Sequence, residues 1–207
     1  MKKITLLLLI FIIFSISIFS LSNNFAFKVG YYFPSELKSG VIWGIDYGYA
    51  IDENVSVVLT GDLYYKKIRD ITKKGEIEQV GVKQEIFQKL NEWKGLHIPL
   101  TVKFKVKFPV GSYKIKPYGA LGIGYGMTHV SFEGTDIGDN NIDDSITYTG
   151  FVWQASGGIL YRLGSRSNLV AELMYNGAKF EKDNENYFTT LNSSGLVIRT
   201  GIDILLF

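Results

Sequence analysis

Apolar and polar residues alternate with a period of two in eight segments of the chain. The most regular segment, residues 96–108, has an apolar side chain at every even position and lysine, threonine or histidine at most odd ones. Such alternation predicts β-strands whose two faces meet different surroundings, whereas an α-helix repeats every 3.6 residues. The other seven segments begin near residues 25, 41, 55, 118, 151, 169 and 196. The pattern therefore predicts an all-β protein.

The connections between the segments alternate in length. Short turns are expected at 52–54, 109–113 and 164–167, and longer loops at 34–40, 67–93, 132–147 and 178–194. This alternation predicts an eight-stranded antiparallel up-and-down transmembrane β-barrel, with short turns in the periplasm and long loops outside the cell. Within the 67–93 loop, Ile77, Val80, Ile86 and Leu90 have a loosely helical spacing that is compatible with a short amphipathic helix, whereas Gly75 and Gly81 argue against a long one. If the protein binds a surface ligand, this loop is the expected place.

The glycines decide which face of the strands points outward. Gly44 and Gly48, and again Gly122, Gly124 and Gly126, lie on the polar face. A soluble lipocalin-like barrel has its apolar face inward. A narrow lumen needs glycine, whereas a solvated outer face gains nothing from it, so we expect the apolar face to meet outer-membrane lipid. Aromatic residues on that face, near strand ends, predict an aromatic girdle: Tyr31, Trp43, Tyr47, Tyr49, Tyr65, Trp153, Tyr161 and Tyr175.

The first 22 residues have the features of a signal peptide. Lys2 and Lys3 precede an apolar run from Ile4 to Phe19, and Ser20-Leu21-Ser22 supplies small residues for cleavage after Ser22. The run is shorter than the roughly 20 residues that a membrane-spanning helix needs. The barrel domain is then expected over residues 23–207, with 20 basic and 20 acidic residues and no cysteine. This balance does not indicate a nucleic-acid partner.

The stretches 96–103 and 116–125, the latter containing Lys116-Pro117-Tyr118-Gly119-Ala120, resemble the family of small outer-membrane β-barrel domains. That family is similar in plan to outer membrane protein A and its eight-stranded relatives, and belongs to the porin-like superfamily. The resemblance implies a location in the bacterial outer membrane. The terminal segment 199–207 is similar to the signal that the barrel assembly machinery reads, which makes that machinery an expected partner. Phe207 departs from this signal because the apolar set falls on even numbers. Pro99 lies within a strand, where a bulge or weak pairing is expected.

The polar face carries charges of both signs: Lys28, Asp46, Asp62, Lys66, Lys103, Lys105, Lys107, Lys116, Arg162, Glu172, Arg199 and Asp203. These residues could line a narrow charged pore. An internal ion-pair network is favoured, because eight strands leave an interior just wide enough for side chains and buried charges persist when paired. Lys28 and Asp203 lie on the first and last strands, which must pair to close the barrel. We therefore expect a Lys28–Asp203 ion pair across that seam.

Catalytic and metal-binding residues are sparse. Some eight-stranded barrels modify lipid A, which requires a histidine with a serine and a carboxylate within reach. Only His97 and His129 are present, and neither lies in a His-x-Ser motif, so the region of His129 and Ser131 is the least unfavourable candidate. In the acidic 132–147 loop, Asp139, Asn141 and Asp143 alternate as calcium ligands do, but Asp144 stands where glycine is needed. We expect no metal or cofactor.

The sequence thus predicts a non-enzymatic outer-membrane barrel with a structural or surface-interaction role. A low-conductance, porin-like channel for small solutes is the first alternative, and a lipid-modifying enzyme is a distant one.

Overall fold

A computed structural model describes residues 23–79, 82–112, 114–135, 141–181 and 190–206, with side chains described outside 69–91, 134–144 and 181. The predicted signal peptide and Phe207 lie outside these residues, so cleavage after Ser22 stays a prediction. The strands of the described residues are β1 (Asn23–Pro34), β2 (Gly40–Ala50), β3 (Val55–Gln79), β4 (Val82–Lys107), β5 (Ile115–Thr135), β6 (Asn141–Arg162), β7 (Ser167–Glu181), β8 (Thr190–Asn192) and β9 (Gly195–Leu205).

Eight of these strands form one closed antiparallel barrel. Each of the strands β1 to β6 pairs with the next strand in the sequence, and β7 pairs with β9. The barrel closes where β9 pairs with β1, from Asn24 opposite Leu205 to Pro34 opposite Gly195. The three-residue β8 only extends the end of β7, through Lys179 to Glu181. The predicted eight-stranded up-and-down barrel is confirmed.

The outer surface of the barrel is an apolar band. Leu121, Val102 and Trp153 are 69%, 50% and 44% exposed, whereas Thr101 and Gln154 are buried. On β4 the band runs from Leu96 to Phe108. At about 3.4 Å per residue and a tilt of about 40°, that length gives a height of about 31 Å, close to the roughly 30 Å hydrocarbon core of a bilayer. Among the described residues no helix is long and apolar enough to cross a membrane. The predicted facing is confirmed, and the lipocalin-like alternative is excluded.

Two of the predicted long loops are wrong. The described residues of 67–93 form neither a loop nor a short helix, because β3 and β4 continue as paired strands from Lys67–Lys94 to Gln79–Val82. Likewise, most of 132–147 is strand, since β5 reaches Thr135 and β6 begins at Asn141. Above the membrane both faces of a strand meet water, so the alternation that predicted the strands disappears. Register shifts at Asp70/Ile71 and Lys73/Gly75 obscure it further.

β4 keeps its register through Pro99. Pro99 lies opposite Gly126 of β5 in regular pairing. On the β3 side the pairs run from Gly61–Leu100 to Tyr64–His97 and omit the two positions between them, without a register shift. The expected weak pairing is therefore present, but there is no bulge at this point. A proline has no N–H to donate to the neighbouring strand, which accounts for the gap.

Glycine makes room for interior side chains, as the sequence predicts. A Cβ at Gly44 would lie 2.5 Å from Oδ1 of Asp62 and 2.8 Å from Nη1 of Arg199. The bare backbone of Gly44 is what allows these two charged groups to meet beside β2.

A sheet projects beyond the barrel at the end opposite the short turns. The last pair between β2 and β3 is Ile42–Tyr64, whereas β3 continues for 15 residues to Gln79. On the other side of this sheet, β6 pairs with β7 only from Val152 onward, so residues 141–151 extend past it. We call the parts of β3–β6 that lie beyond Tyr64 and Val152 the projecting sheet. No described strand covers either of its two edges.

Candidate functional site

The interior of the barrel contains a balanced layer of charges. Four cations and four anions are each at most 4% exposed: Lys28, Lys103, Lys105, Arg199, Asp46, Asp62, Glu172 and Asp203. They reach the interior because alternate residues of each strand point inward. Equal numbers of opposite charges in so small a space can neutralise one another, which is the condition for burying them.

Arg199 of β9 is the centre of this layer. Its Nη1 donates to Oδ1 of Asp62 on β3 at 2.6 Å, and its Nε donates to Oε1 of Glu172 on β7 at 2.7 Å. The other oxygen of Glu172 accepts from Lys28 Nζ at 2.9 Å and from the hydroxyl of Tyr118. These bonds connect strands from opposite sides of the barrel, so the network acts as an internal cross-brace.

Lys28 and Asp203 do not pair, and the expected seam bridge is wrong. Lys28 Nζ contacts Oδ2 of Asp46 at 2.5 Å as well as Glu172. Asp203 instead accepts from Asn24 Nδ2 at 2.9 Å and lies 3.9 Å from Lys105 Nζ. In the seam register Lys28 is opposite Gly201 and Asp203 is opposite Ala26. Asp203 thus bonds the β1 residue two positions before Ala26, Asn24, and not Lys28 two positions after it, while Lys28 turns to Asp46 on β2 and Glu172 on β7.

Four predicted lumen charges lie at the ends of the barrel, outside this layer. The stem of Lys66 lies beside Gly40 near the outer rim, where a Cβ would be 3.2 Å from Lys66 Cδ. Lys107, Lys116 and Arg162 lie at the opposite end, the first half-buried and the other two exposed. Arg162 donates Nε to the carbonyl of Gly164 at 2.9 Å.

Polar amide side chains lie next to the charged layer, on the side towards the projecting sheet. Gln154 Nε2 lies 3.1 Å from Oδ2 of Asp62 and 3.1 Å from Oδ1 of Asn176. Asn176 in turn donates to the hydroxyl of Tyr32 at 3.2 Å. These amides were placed on the inner face by the sequence pattern, but nothing in the sequence showed that they connect charge to aromatic rings.

Aromatic side chains fill the half of the lumen that is nearer to the projecting sheet, which is called the outer half. Tyr32 packs edge-on against Tyr64 at 5.4 Å between centroids and stacks on His97 at 5.9 Å. Phe180 lies 5.9 Å from His97 on the other side. All four rings are fully buried. The ring of His97 is held by Thr128, whose Oγ1 lies 2.7 Å from its Nδ1. The outer half of the interior is therefore occupied by side chains.

The aromatic residues predicted to form a girdle lie on the outer face. Seven of them are between 41% and 54% exposed, and Tyr49 is half-buried. Trp153 packs on Tyr175 with 5.4 Å between ring centroids, and Trp43 packs on Phe27 at 5.8 Å. Their assignment to the membrane interfaces remains a proposal.

The candidate chemistry outside the barrel does not assemble. His129 Nδ1 contacts Thr147 Oγ1 at 2.9 Å, and no hydrogen bond between His129 and Ser131 is found among the described residues. Among the described residues no group of three or more histidine, aspartate or glutamate side chains is placed to hold a metal ion. Asp136 and Asp139 of the acidic segment lie outside the described residues.

An ion cluster on the outward face of the projecting sheet was missed by sequence reasoning. Glu92 of β4 is 2% exposed and pairs with Lys67 of β3 and with Lys94, 3.2 Å from its Oε1. Lys94 also pairs with Glu133 of β5, and these hydrogen bonds raise the pKa of Lys94. The cluster joins three strands just above the apolar band. Its only sequence signal was the change from apolar to charged residues below position 96.

Comparison with known proteins agrees with this architecture. The family model described as outer membrane protein beta-barrel domain matches residues 17–199. Neisserial surface protein A has a similar structure, with 18% identity, a TM-score of 0.53, and coverage of 88% of this chain and 96% of that one. A major outer membrane protein from Thermus thermophilus gives 17% identity, a TM-score of 0.54 and coverage of 89% and 99%. No curated protein sequence matches significantly. The chain belongs to the outer membrane protein beta-barrel domain family and is a protein of the bacterial outer membrane.

Proposed function

We propose that this protein is a non-enzymatic surface barrel that contacts a partner outside the cell through its projecting sheet. The observation that carries the proposal is the unpaired edge of β3. From Tyr65 to Gln79 its backbone pairs with β4 on one side, and no described strand pairs with it on the other. An uncovered strand edge is a template for an added strand, with main-chain hydrogen bonds supplying affinity.

The length of this edge supports the proposal. Residues 65–79 give about 50 Å of strand at about 3.3 Å per residue, far more than a barrel needs to turn back at the membrane surface. The cluster of Glu92 with Lys67 and Lys94 braces the base of the hairpin. A braced, open edge is suited to binding an extended segment of another polypeptide.

Attachment of cells that display the protein tests the proposal. Wild-type cells are compared with cells displaying a trimmed barrel, in which a Gly-Ser turn replaces residues 68–91, on a panel of immobilised extracellular proteins. Heat-modifiable gel migration checks that the trimmed barrel folds. Attachment lost on trimming supports the proposal; attachment that the folded trimmed barrel retains, or none by either protein, contradicts it.

The alternative is a low-conductance channel, and one observation favours it. Oδ1 of Asp46, Oγ1 of Thr60 and Oγ of Ser156 are buried without a hydrogen-bond partner among the described residues. Buried polar atoms of this kind are usually satisfied by water. The fully buried rings of Tyr32, His97 and Phe180 oppose a continuous path. Discrete conductance steps in a planar bilayer that shift on Asp62→Asn would favour the channel instead.

A further inference from the structure

The short-turn end of the barrel contains a cavity lined by positive charge. The cavity has a volume of about 210 Å³, far above the roughly 10–15 Å³ that one water molecule needs. Four cationic side chains line it: Lys107, Lys114, Lys116 and Arg162. They come from three neighbouring strands, β4, β5 and β6, and from the turn between the first two.

One carboxylate, Asp203, also lines this cavity, but its charge is already engaged. Its Oδ2 accepts from Asn24 Nδ2 at 2.9 Å and lies 3.9 Å from Nζ of Lys105, a residue of the buried layer. Even with Lys114 left out of the count, three cations (Lys107, Lys116 and Arg162) line the cavity with one carboxylate. This excess contrasts with the interior layer, where four cations meet four anions.

Three of the cavity cations, Lys107, Lys116 and Arg162, form no ion pair with a carboxylate of the described side chains. Among the described side chains, no carboxylate oxygen lies within 4.0 Å of the charged nitrogens of Lys107, Lys116 or Arg162. The hydrogen bond from Arg162 Nε to Gly164 O orients the guanidinium plane. The two terminal nitrogens of that guanidinium remain as hydrogen-bond donors for other groups. Like charges in excess of their counter-charges repel one another, so an anion bound beside Lys107, Lys116 and Arg162 would gain free energy from all three.

The remaining lining adds neutral donors. Ser165 supplies a hydroxyl, and Asn24 and Asn168 supply amides. A group with several negative oxygens uses such a set best, because each oxygen can accept a charge-assisted hydrogen bond. Lysine ammonium groups and a planar guanidinium are the side chains that commonly hold phosphate.

We propose that this cavity, the periplasmic mouth site, binds a phosphate group. Short turns face the periplasm in barrels of this kind, which places the site level with the headgroups of the inner leaflet. Two sources supply the same chemistry there: the headgroup of an anionic phospholipid and a soluble phosphate compound. The site is independent of the projecting sheet, which lies at the opposite end of the barrel.

Binding to the refolded full-length barrel tests the proposal. In one arm, inorganic pyrophosphate is titrated calorimetrically into the protein in zwitterionic micelles. In the other, native mass spectrometry counts phosphatidylglycerol retained from micelles that contain it together with phosphatidylcholine. Lys116→Gln and Arg162→Gln remove one charge each, and Lys116→Arg keeps it. Arg166→Gln is the matched control, because Arg166 is exposed on the same side but does not line the cavity.

Each glutamine variant is expected to weaken binding about fivefold to tenfold, while Lys116→Arg and Arg166→Gln leave it near the wild-type level. Binding of pyrophosphate identifies a soluble ligand, and selective retention of phosphatidylglycerol alone identifies a lipid headgroup; either supports the site. Absence of binding in both arms, or an equal loss in Arg166→Gln, overturns the proposal.

Discussion

Arg199 on the last strand of the barrel donates to Asp62 on β3 across the interior, with 2.6 Å between Nη1 and Oδ1. Neither residue is adjacent to the other in the sheet, since β9 pairs only with β1 and β7. The bond therefore braces the barrel across its lumen. Because Arg199 also holds Glu172, it pairs with two of the four carboxylates of the buried layer.

Replacement of Arg199 by methionine is expected to destabilise the barrel by about 3–5 kcal/mol, because it leaves Asp62 and Glu172 buried without their shared cation. Urea titration of protein refolded in phosphatidylcholine vesicles, followed by tryptophan fluorescence, measures this loss. Arg166→Met, on the exposed side of a turn, should change the free energy of unfolding by less than about 0.5 kcal/mol. Equal losses in the two variants would show that Arg199 is not a brace.

Glycine at position 44 is required by the network, and glycine at position 61 is not. An alanine Cβ at Gly44 would press on Asp62 and Arg199, whereas at Gly61 its nearest neighbour is Leu100 Cδ1 at 3.8 Å. Gly44→Ala should cost about 1–3 kcal/mol, as overpacking does, and Gly61→Ala should be nearly neutral. The same urea titrations compare them. If Gly44→Ala unfolds at the wild-type urea concentration, the close contact at Gly44 is not real.

Glu92→Gln should loosen the projecting hairpin without unfolding the barrel. The carboxylate of Glu92 holds Lys67 and Lys94 on either side, and glutamine removes both ion pairs. Hydrogen exchange by mass spectrometry should show faster exchange in residues 67–79 and unchanged protection in β7 and β9. Glu53→Gln, in a turn at the other end of the barrel, is the control. Faster exchange throughout the barrel, or none in the hairpin, would contradict this role of Glu92.

The sequence predicted the parts of the fold that separate lipid from lumen. Between Leu96 and Phe108, each residue meets either hydrocarbon or the packed interior, so its polarity reports its direction. Past Lys67 the strand lies beyond the apolar band, and the alternation is absent although β3 continues to Gln79. The error at 67–93 thus arose because alternation indicates a difference between two environments rather than a strand as such.

The interior residues were predicted as a set, but their partners were not. The alternation of inward and outward positions along each strand placed Lys28, Glu172 and Arg199 in the lumen correctly. Which of them meet depends on the stagger of the strands around the closed barrel, and a single sequence does not contain that stagger. Lys28 consequently bonds Asp46 and Glu172 instead of Asp203. The positive cavity at the short-turn end was missed for a related reason, since Lys107, Lys116 and Arg162 meet through the register of β4, β5 and β6.

The facing of the barrel towards lipid is the central claim, and one pair of substitutions tests it most directly. Val102 lies in the middle of the apolar band and Ser145 lies on the same outward face beyond it; both are exposed. Urea unfolding in phosphatidylcholine vesicles should show a loss of about 2–4 kcal/mol for Val102→Arg and about 0–1 kcal/mol for Ser145→Arg, because the penalty for arginine falls from the bilayer midplane to its surface. A loss at Val102 no greater than that at Ser145 would contradict the account.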